Sequence, residues 1–444
     1  MRSTARPLLF ALIILGLLNF TPRPGQAASL IRDADIEFSL GQLAAPILRA
    51  AGLSPSRVGI YVVDDRNMNA FVLDPTAIYI HSGMILRLER AAELQSVIAH
   101  EAAHIANGHI ARRYANMAAT RNVMLLGAAL SVAAGAATGQ GAAAGGVALG
   151  VAGSAQRVFF GHTRAEESSA DQSGIRFMAA AGVDTQGAVS VMELFSGQEA
   201  LPARRQDIYA RSHPLSRDRL RNLKALAVSY GKPVKPDPAA EYWFDRAKGK
   251  LSAFTRNPKW TFQRAKESAP DVRAMREAVA HHRLNQTQKA LAALDRARAI
   301  RANDPYYDDL RGQILMESRN FAAAAQVYAA AAKRAPGNAL IQASYGRSLV
   351  ALGGAQNFKS AVSVLERATR DDWRNGMALR DLGTAYAKQG NTGMASVVTA
   401  EGHAMRGRTR EARVLAERAA GLLPNGSPGW RRAQDVLNAV NERN

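Results

Sequence analysis

The sequence predicts a mostly helical protein of two unlike parts, an α+β domain with a small sheet followed by a solenoid of paired helices. Three observations carry this reading. Short apolar runs at Val58–Val63, Ala70–Leu73 and Ile78–Ile80 have strand length, and turn residues such as Asp74-Pro75-Thr76 join them. A long amphipathic stretch follows and contains His100-Glu101-Ala102-Ala103-His104. In the second half, Ala290, Ala324, Ala361 and Ala395 stand in comparable contexts, 34, 37 and 34 residues apart.

The first element is a targeting segment. Arg2 and Arg6 precede an apolar run from Leu8 to Phe20, and small residues follow at Gly25-Gln26-Ala27-Ala28-Ser29. The apolar run has signal-peptide length and is short for a membrane span, so residues 1–28 are expected to be removed near Ala27 or Ala28. A retained anchor is the competing reading. Residues 30–56 read as one or two helices, with Leu40, Leu43, Ile47, Leu48 and Ala51 at helical spacing. The three strands come next, and Gly83 is expected to end their sheet. A helix from Glu89 to Arg113 then turns Leu94, Val97, Ile98 and Ile105 inward.

Residues 124–156 are almost wholly Ala, Gly, Val and Leu, without charge until Arg157. The stretch reads as a helical hairpin or flap beside the site, and a buried core helix and a membrane span compete with that reading. Charged and amphipathic helices are expected over 161–181, 185–196 and 215–229. Pro214 suits a first turn, which places His213 at a helix start. The first domain is assigned to 29–230, the Pro-rich linker and a leading helix to 231–273, and the repeats to 274–444. Gly312, Gly346 and Gly383 precede the last three repeat alanines by 12, 15 and 12 residues. A period of 34 is that of tetratricopeptide repeats, whose stacked helix pairs leave a protein-binding groove.

Cysteine is absent, which excludes disulfides, thiolate ligands and a cysteine nucleophile. The net charge of +20 favours anionic surfaces such as membrane headgroups, giving possible peripheral membrane contact. The basic residues are scattered, and no nucleic-acid-binding motif accompanies them. Export makes nucleic acid no expected partner.

The chemistry lies in His100-Glu101-x-x-His104. One helical turn separates the two histidines, so both imidazoles reach one metal ion, and Glu101 can take a proton from a water that the ion activates. A histidine six residues after His104 would complete one known zinc pattern, but that residue is Ile110. His109 is one position off and reads as structural. A carboxylate from another helix is the better third ligand, with Glu167 preferred and Glu166 its competitor. Asp171 lies one turn beyond Glu167, where it can hold the outer nitrogen of a ligating histidine.

His100-Glu101-x-x-His104 followed by Arg164-x-x-Glu167-x-x-Ala170-Asp171 resembles the zinc peptidases related to the CAAX prenyl protease and HtpX. The resemblance covers about residues 35–225. It implies a zincin-like α+β domain, one Zn2+ per chain, Glu167 as third ligand and Asp171 behind a ligating histidine. The segment Asn69–Gly83 resembles the family's edge-strand region, which implies that substrate lies along that strand by strand addition. A signal segment, this domain and the repeats together resemble the periplasmic members that act in outer-membrane protein assembly. In those, a His-Pro pair and an arginine six residues on are matched by His213-Pro214 and Arg219. The resemblance implies that His213 can take the fourth zinc position and silence the enzyme, and that Arg219 lies near the zinc, where it is one candidate to stabilise an oxyanion. The implied partners are unfolded or stalled outer-membrane proteins and the outer-membrane assembly machinery. The implied activity is a zinc metalloendopeptidase. A mainly non-proteolytic chaperone is the alternative. Two features depart from the pattern: the repeat before Ala290 is poorly formed, and 124–156 is unusually rich in Gly and Ala.

Overall fold

The computed structural model describes residues 29–115, 163–202, 205–213, 216–230 and 234–441. The signal segment, the stretch 124–156 and Pro214 lie outside the described residues. Among those described, no helix is long and apolar enough to cross a membrane.

Among the described residues the sheet has four strands, β1 (Leu30–Ile31), β2 (Gly59–Val63), β3 (Ala70–Asp74) and β4 (Ala77–His81), in the order β1-β2-β4-β3. β2 and β4 run parallel, while β1 on β2 and β3 on β4 are antiparallel. β3 is therefore an edge strand. β1 is one strand more than the sequence patterns showed, because two residues carry no periodicity. The helical reading of 30–56 narrows to α1 (Ala34–Ala50), capped by the Asp33 carboxylate, which accepts from the Asp35 and Ile36 amides. The sheet ends at His81, and Gly83 falls in the first turn of α2 (Ser82–Arg87). A Cβ on Gly83 would lie 2.0 Å from the Arg66 carbonyl oxygen, so that close approach explains the glycine.

The helix bearing the histidines, α3, spans Ala91–Ala106 and stops short of the expected Arg113. Asn107 caps it, Gly108 takes φ +70°, and helical structure resumes over 109–115. Glycine adopts that left-handed geometry without steric cost. α4 (Arg164–Ala180), α5 (Gln186–Leu194), α6 (Ile208–Ser212) and α7 (Arg217–Ser229) follow. His213 caps the C-terminus of α6; it does not open the next helix, whose own cap is Ser216. The residues of α6 were too few to register as a helix in the sequence. Leu40, Leu43, Ile47 and Leu48 of α1 pack with Leu94, Val97 and Ile98 of α3 and with Ile60, Ile78 and Ile80 of the sheet. At about 1.5–3 kcal/mol per buried side chain, this core fixes α3 against the sheet.

α8 (Pro238–Thr255) begins with its proline in the first turn, after the Asp237 cap. Its Ala240, Phe244, Ala247 and Leu251 complete the first core. Beyond it come α9 (Pro258–Arg264) and helix pairs α10 (Pro270–Arg283) and α11 (Thr287–Ile300), α12 (Pro305–Glu317) and α13 (Phe321–Arg334), α14 (Ala339–Leu352) and α15 (Ala355–Asp371), α16 (Gly376–Lys388) and α17 (Thr392–Met405), and α18 (Thr409–Leu422) and α19 (Pro428–Asn441). The repeat glycines sit in the first helix of a pair and receive a side chain of the second. A Cβ on Gly312 would meet the Tyr328 ring at 2.7 Å, and one on Gly346 would meet Leu365 at 2.4 Å. Ala290, Ala324 and Ala361 are fully buried at the facing positions.

The two parts are joined by buried charge. Arg246 of α8 is fully buried. It holds Asp35 of α1 at 2.6 Å and Asp304, just before α12, at 2.6 and 3.0 Å, with its guanidinium 4.4 Å above the Tyr307 ring. Lys250, also buried, lies 2.9 Å from Asp33. Phe38 stacks on Tyr306, centroids 4.6 Å apart. Farther along, Arg32 reaches Asp372 at 2.6 Å, and Arg374 reaches Asp74 at 3.2 Å and Thr76 at 3.0 Å. Replacing Arg246 by Met removes the nearest cation from both Asp35 and Asp304, and the expected loss is about 3–5 kcal/mol, measured by urea unfolding.

Candidate metal centre

Four donor side chains converge below the edge strand. His100 and His104 come from α3, Glu167 from α4, and His213 from the end of α6. One ligand atom from each lies within 4.8 Å of the others, and all four residues are buried. Nε2 of His100 is 3.1 Å from Nε2 of His104 and 3.2 Å from Nδ1 of His213. The Glu167 oxygens lie 3.4 Å from Nε2 of His100, 3.4 Å from Nε2 of His104 and 3.1 Å from Nδ1 of His213. A tetrahedral zinc ion with bonds of about 2.0–2.1 Å spaces its ligands about 3.3–3.4 Å apart. The donor set fits in chemistry and in spacing.

Local sequence explains why these residues meet. Glu93 closes the start of α3 by accepting from the Glu89 amide at 2.7 Å, which sets the helix phase that carries both histidines inward. In α4, Thr163 accepts from the Glu166 amide and the Glu166 carboxylate accepts from the Thr163 amide, both at 3.1 Å. Glu166 thus serves its own helix start, and Glu167 is the carboxylate that turns into the core. α3 and α4 cross closely because residue 174 is glycine; a Cβ there would touch the His100 backbone at 3.4 Å.

Each inner nitrogen has an anchored outer one. His100 Nδ1 lies 3.2 Å from Asp171 Oδ1. His104 Nδ1 lies 2.8 Å from His109 Nδ1. His213 Nε2 lies 3.2 Å from the Ala70 carbonyl of β3 and 3.5 Å from Glu101. Tyr209 backs the His213 ring at 4.6 Å and packs in turn on Phe195. Arg219 forms two parallel bonds to Asp171, at 2.8 and 2.9 Å, and its third nitrogen lies 2.9 Å from Glu167. Its guanidinium is committed to these carboxylates, which leaves the oxyanion role expected of it without support. The Glu101 carboxylate is fully buried, and among the described residues neither oxygen has a hydrogen-bond partner.

These surroundings shift the charges. Burial opposes ionisation of Glu167, yet the surrounding imidazoles of His213, His100 and His104 hold its carboxyl well below the usual range. Asp171 is likewise held down, against its burial, by His100 and Arg219. Burial raises Glu101. For His100, burial is outweighed by Asp171 and Glu167, and its pKa is pushed up to about 10. His104 falls to about 3, because burial and the positive His100 ring disfavour its charge and Glu167 does not compensate. Without metal, therefore, His100 carries a positive charge in a place suited to a divalent ion.

His109 is the residue the sequence reading undervalued. Its spacing from His104, five residues, puts it off the histidine face of a continuous helix. The turn at Asn107-Gly108 brings it back.

A buried helix pair contributing His, His and Glu to one centre, with a glutamate beside the first histidine, is the arrangement that a metallopeptidase site requires. Residues 32–227 match the model of peptidase family M48. A curated relative from Vibrio cholerae is 28% identical over 221 residues, which is 49% of this chain and 44% of that protein. Relatives named beta-barrel assembly-enhancing protease, from Yersinia pestis and Escherichia coli, are 25% and 24% identical over 48% and 50% of this chain and 43% and 45% of theirs. The chain thus spans under half the length of the curated relatives it matches. Among solved structures, a tetratricopeptide protein of Thermus thermophilus aligns with 38% of this chain and 99% of its own at 19% identity and a TM-score of 0.26. Yeast Tom70 aligns with 79% of this chain and 85% of its own at 13% identity and 0.32. Scores this low have no bearing on function.

The opposed histidine shifts predict the pH dependence of the metal-free protein. His100 lies above its ordinary value of 6.5, so its contribution is present below that pH and is lost as pH rises towards 10. His104 lies below 6.5, so stability is lost as pH falls from there towards 3. Thermal melting is expected to peak at about pH 6–7. With zinc bound, the fall on the alkaline side should disappear, which differential scanning calorimetry with and without chelator can check.

Proposed function

We propose that the chain is a zinc-dependent endopeptidase of the bacterial periplasm that acts in outer-membrane protein assembly or quality control and is held closed at rest by His213. The observation that carries this is the four-donor centre with the buried, unbonded Glu101 carboxylate beside it. His100, His104 and Glu167 would hold the ion, and His213 would fill the position that catalysis needs open. A bound zinc ion supplies Lewis acidity to a carbonyl oxygen and acidifies water.

The chain's own residues do the rest. Glu101 accepts a proton from the attacking water and passes it to the leaving amine as the peptide bond breaks; its burial raises its proton affinity towards that of a working general base. Asp171 and His109 hold the outer nitrogens of the two helix histidines, and Arg219 holds Asp171 and Glu167 in place. β3, as an edge strand, offers backbone groups to an extended substrate. His213 occupies one of them, the Ala70 carbonyl, so substrate and His213 compete for the strand as well as for the metal.

The beta-barrel assembly names of the relatives support outer-membrane proteins as substrates, and the helix pairs support docking of a protein partner. The closed centre also supports a second reading, a chaperone whose peptidase site is idle most of the time.

The test compares wild type, Glu101→Gln and His213→Ala on an unfolded outer-membrane β-barrel protein, with zinc content measured in each. Glu101→Gln should keep its zinc and lose about 10^2–10^4-fold in cleavage rate. His213→Ala should cleave faster than wild type. Normal cleavage by Glu101→Gln would refute the mechanism, and no gain in His213→Ala would refute the closed resting state.

A further inference from the structure

We propose that His109 is a positioning residue for the metal centre: it accepts a hydrogen bond from Nδ1 of His104 and thereby fixes that ring with Nε2 towards the other donors. The proposal rests on the metallopeptidase reading of the site. Its geometric basis is the 2.8 Å separation of the two Nδ1 atoms, both rings being buried, with ring centroids 4.9 Å apart and planes at 68°. One of two facing nitrogens must carry the proton. A ring that ligates through Nε2 keeps its proton on Nδ1, so His104 donates and His109 Nδ1 accepts.

The backbone is built for this contact. On a continuous helix, residues 104 and 109 would stand about 140° apart around the axis and their rings would diverge. α3 instead ends at Asn107, and the left-handed Gly108 redirects the chain so that residue 109 returns to the histidine face. The Asn107 amide nitrogen donates to Ser169 Oγ at 3.0 Å, and Ser173 Oγ donates to Asn107 Oδ1 at 3.2 Å. Both serines lie on α4, each two residues beyond a carboxylate of the site. The turn that aims His109 is therefore tied to the helix that supplies Glu167 and Asp171.

Charge explains the choice of an imidazole. His100 is backed by a carboxylate, Asp171, and Glu167 already sits among the rings. A further carboxylate behind His104 would add negative charge to a site that already buries Glu101, Glu167 and Asp171. A neutral imidazole supplies the acceptor lone pair and adds none.

The experiment measures zinc affinity by chelator competition at fixed pH, and melting of the metal-free forms, for the full chain as wild type, His109→Leu and His109→Asn. Asn places its Oδ1 where Nδ1 of the histidine stood, so it keeps the acceptor; Leu fills similar space without one. His109→Leu should bind zinc about 10–100-fold more weakly, and His109→Asn should recover most of that loss. Wild-type affinity in His109→Leu overturns the proposal. So does a His109→Asn variant that melts like wild type when metal-free yet binds zinc as weakly as His109→Leu, since His109 would then act through packing alone. A wild-type chain that binds no zinc defeats the metallopeptidase reading itself, and is recognised by that result before any variant is compared.

Discussion

A carboxylate with no access to water must be neutralised by what surrounds it, and Glu167 is such a group. It is fully buried between two helices, and it touches His100, His104, His213 and Arg219. Removing that carboxylate would leave three imidazoles and a guanidinium facing one another. Removing the cationic partners would leave a buried anion. A zinc ion meets the same demand more completely than any one of them. The close crossing of α3 and α4, the capping of both helix starts and the arginine from α7 all serve to hold this one charge in place.

The same demand explains why the site is both rigid and closable. Asp171 and His109 lie behind the His100 and His104 rings, and Arg219 ties the two carboxylates together. His213 differs. It comes from the end of a five-residue helix, and its outer nitrogen rests on the edge strand. Its displacement would free a ligand position and a backbone carbonyl at once. The edge strand is held from the other side by the repeats, where Arg374 grips the β3–β4 turn through Asp74 and Thr76. The solenoid is thus packed against the strand on which the proposed substrate would add.

Much of this was legible from residue types and spacing. The helical turn between His100 and His104 set the core of the site, the 34-residue alanine period set the solenoid, and the three apolar runs set most of the sheet. What the sequence hid has physical reasons. β1 is two residues long and exists only through its pairing with β2. Glu167 is already preferred over Glu166 in the sequence, and the fold adds the reason, because the helix start uses the Glu166 carboxylate. His109 reads as structural because it falls one position off a known zinc pattern, and its place behind His104 depends on the turn at Gly108. Arg219 could be placed near the zinc, but only the fold shows that its nitrogens are spent on Asp171 and Glu167. The buried Arg246 cluster joins segments more than two hundred residues apart, and no local pattern announces it.

The central claim is that the resting metal centre is completed by the chain itself, with three imidazoles and one carboxylate. X-ray absorption of the zinc-loaded protein measures this directly. The account predicts four nitrogen and oxygen neighbours at about 2.0–2.1 Å, with outer-shell scattering from three imidazole rings in wild type and two in His213→Ala. Two rings in wild type, unchanged in His213→Ala, would contradict it.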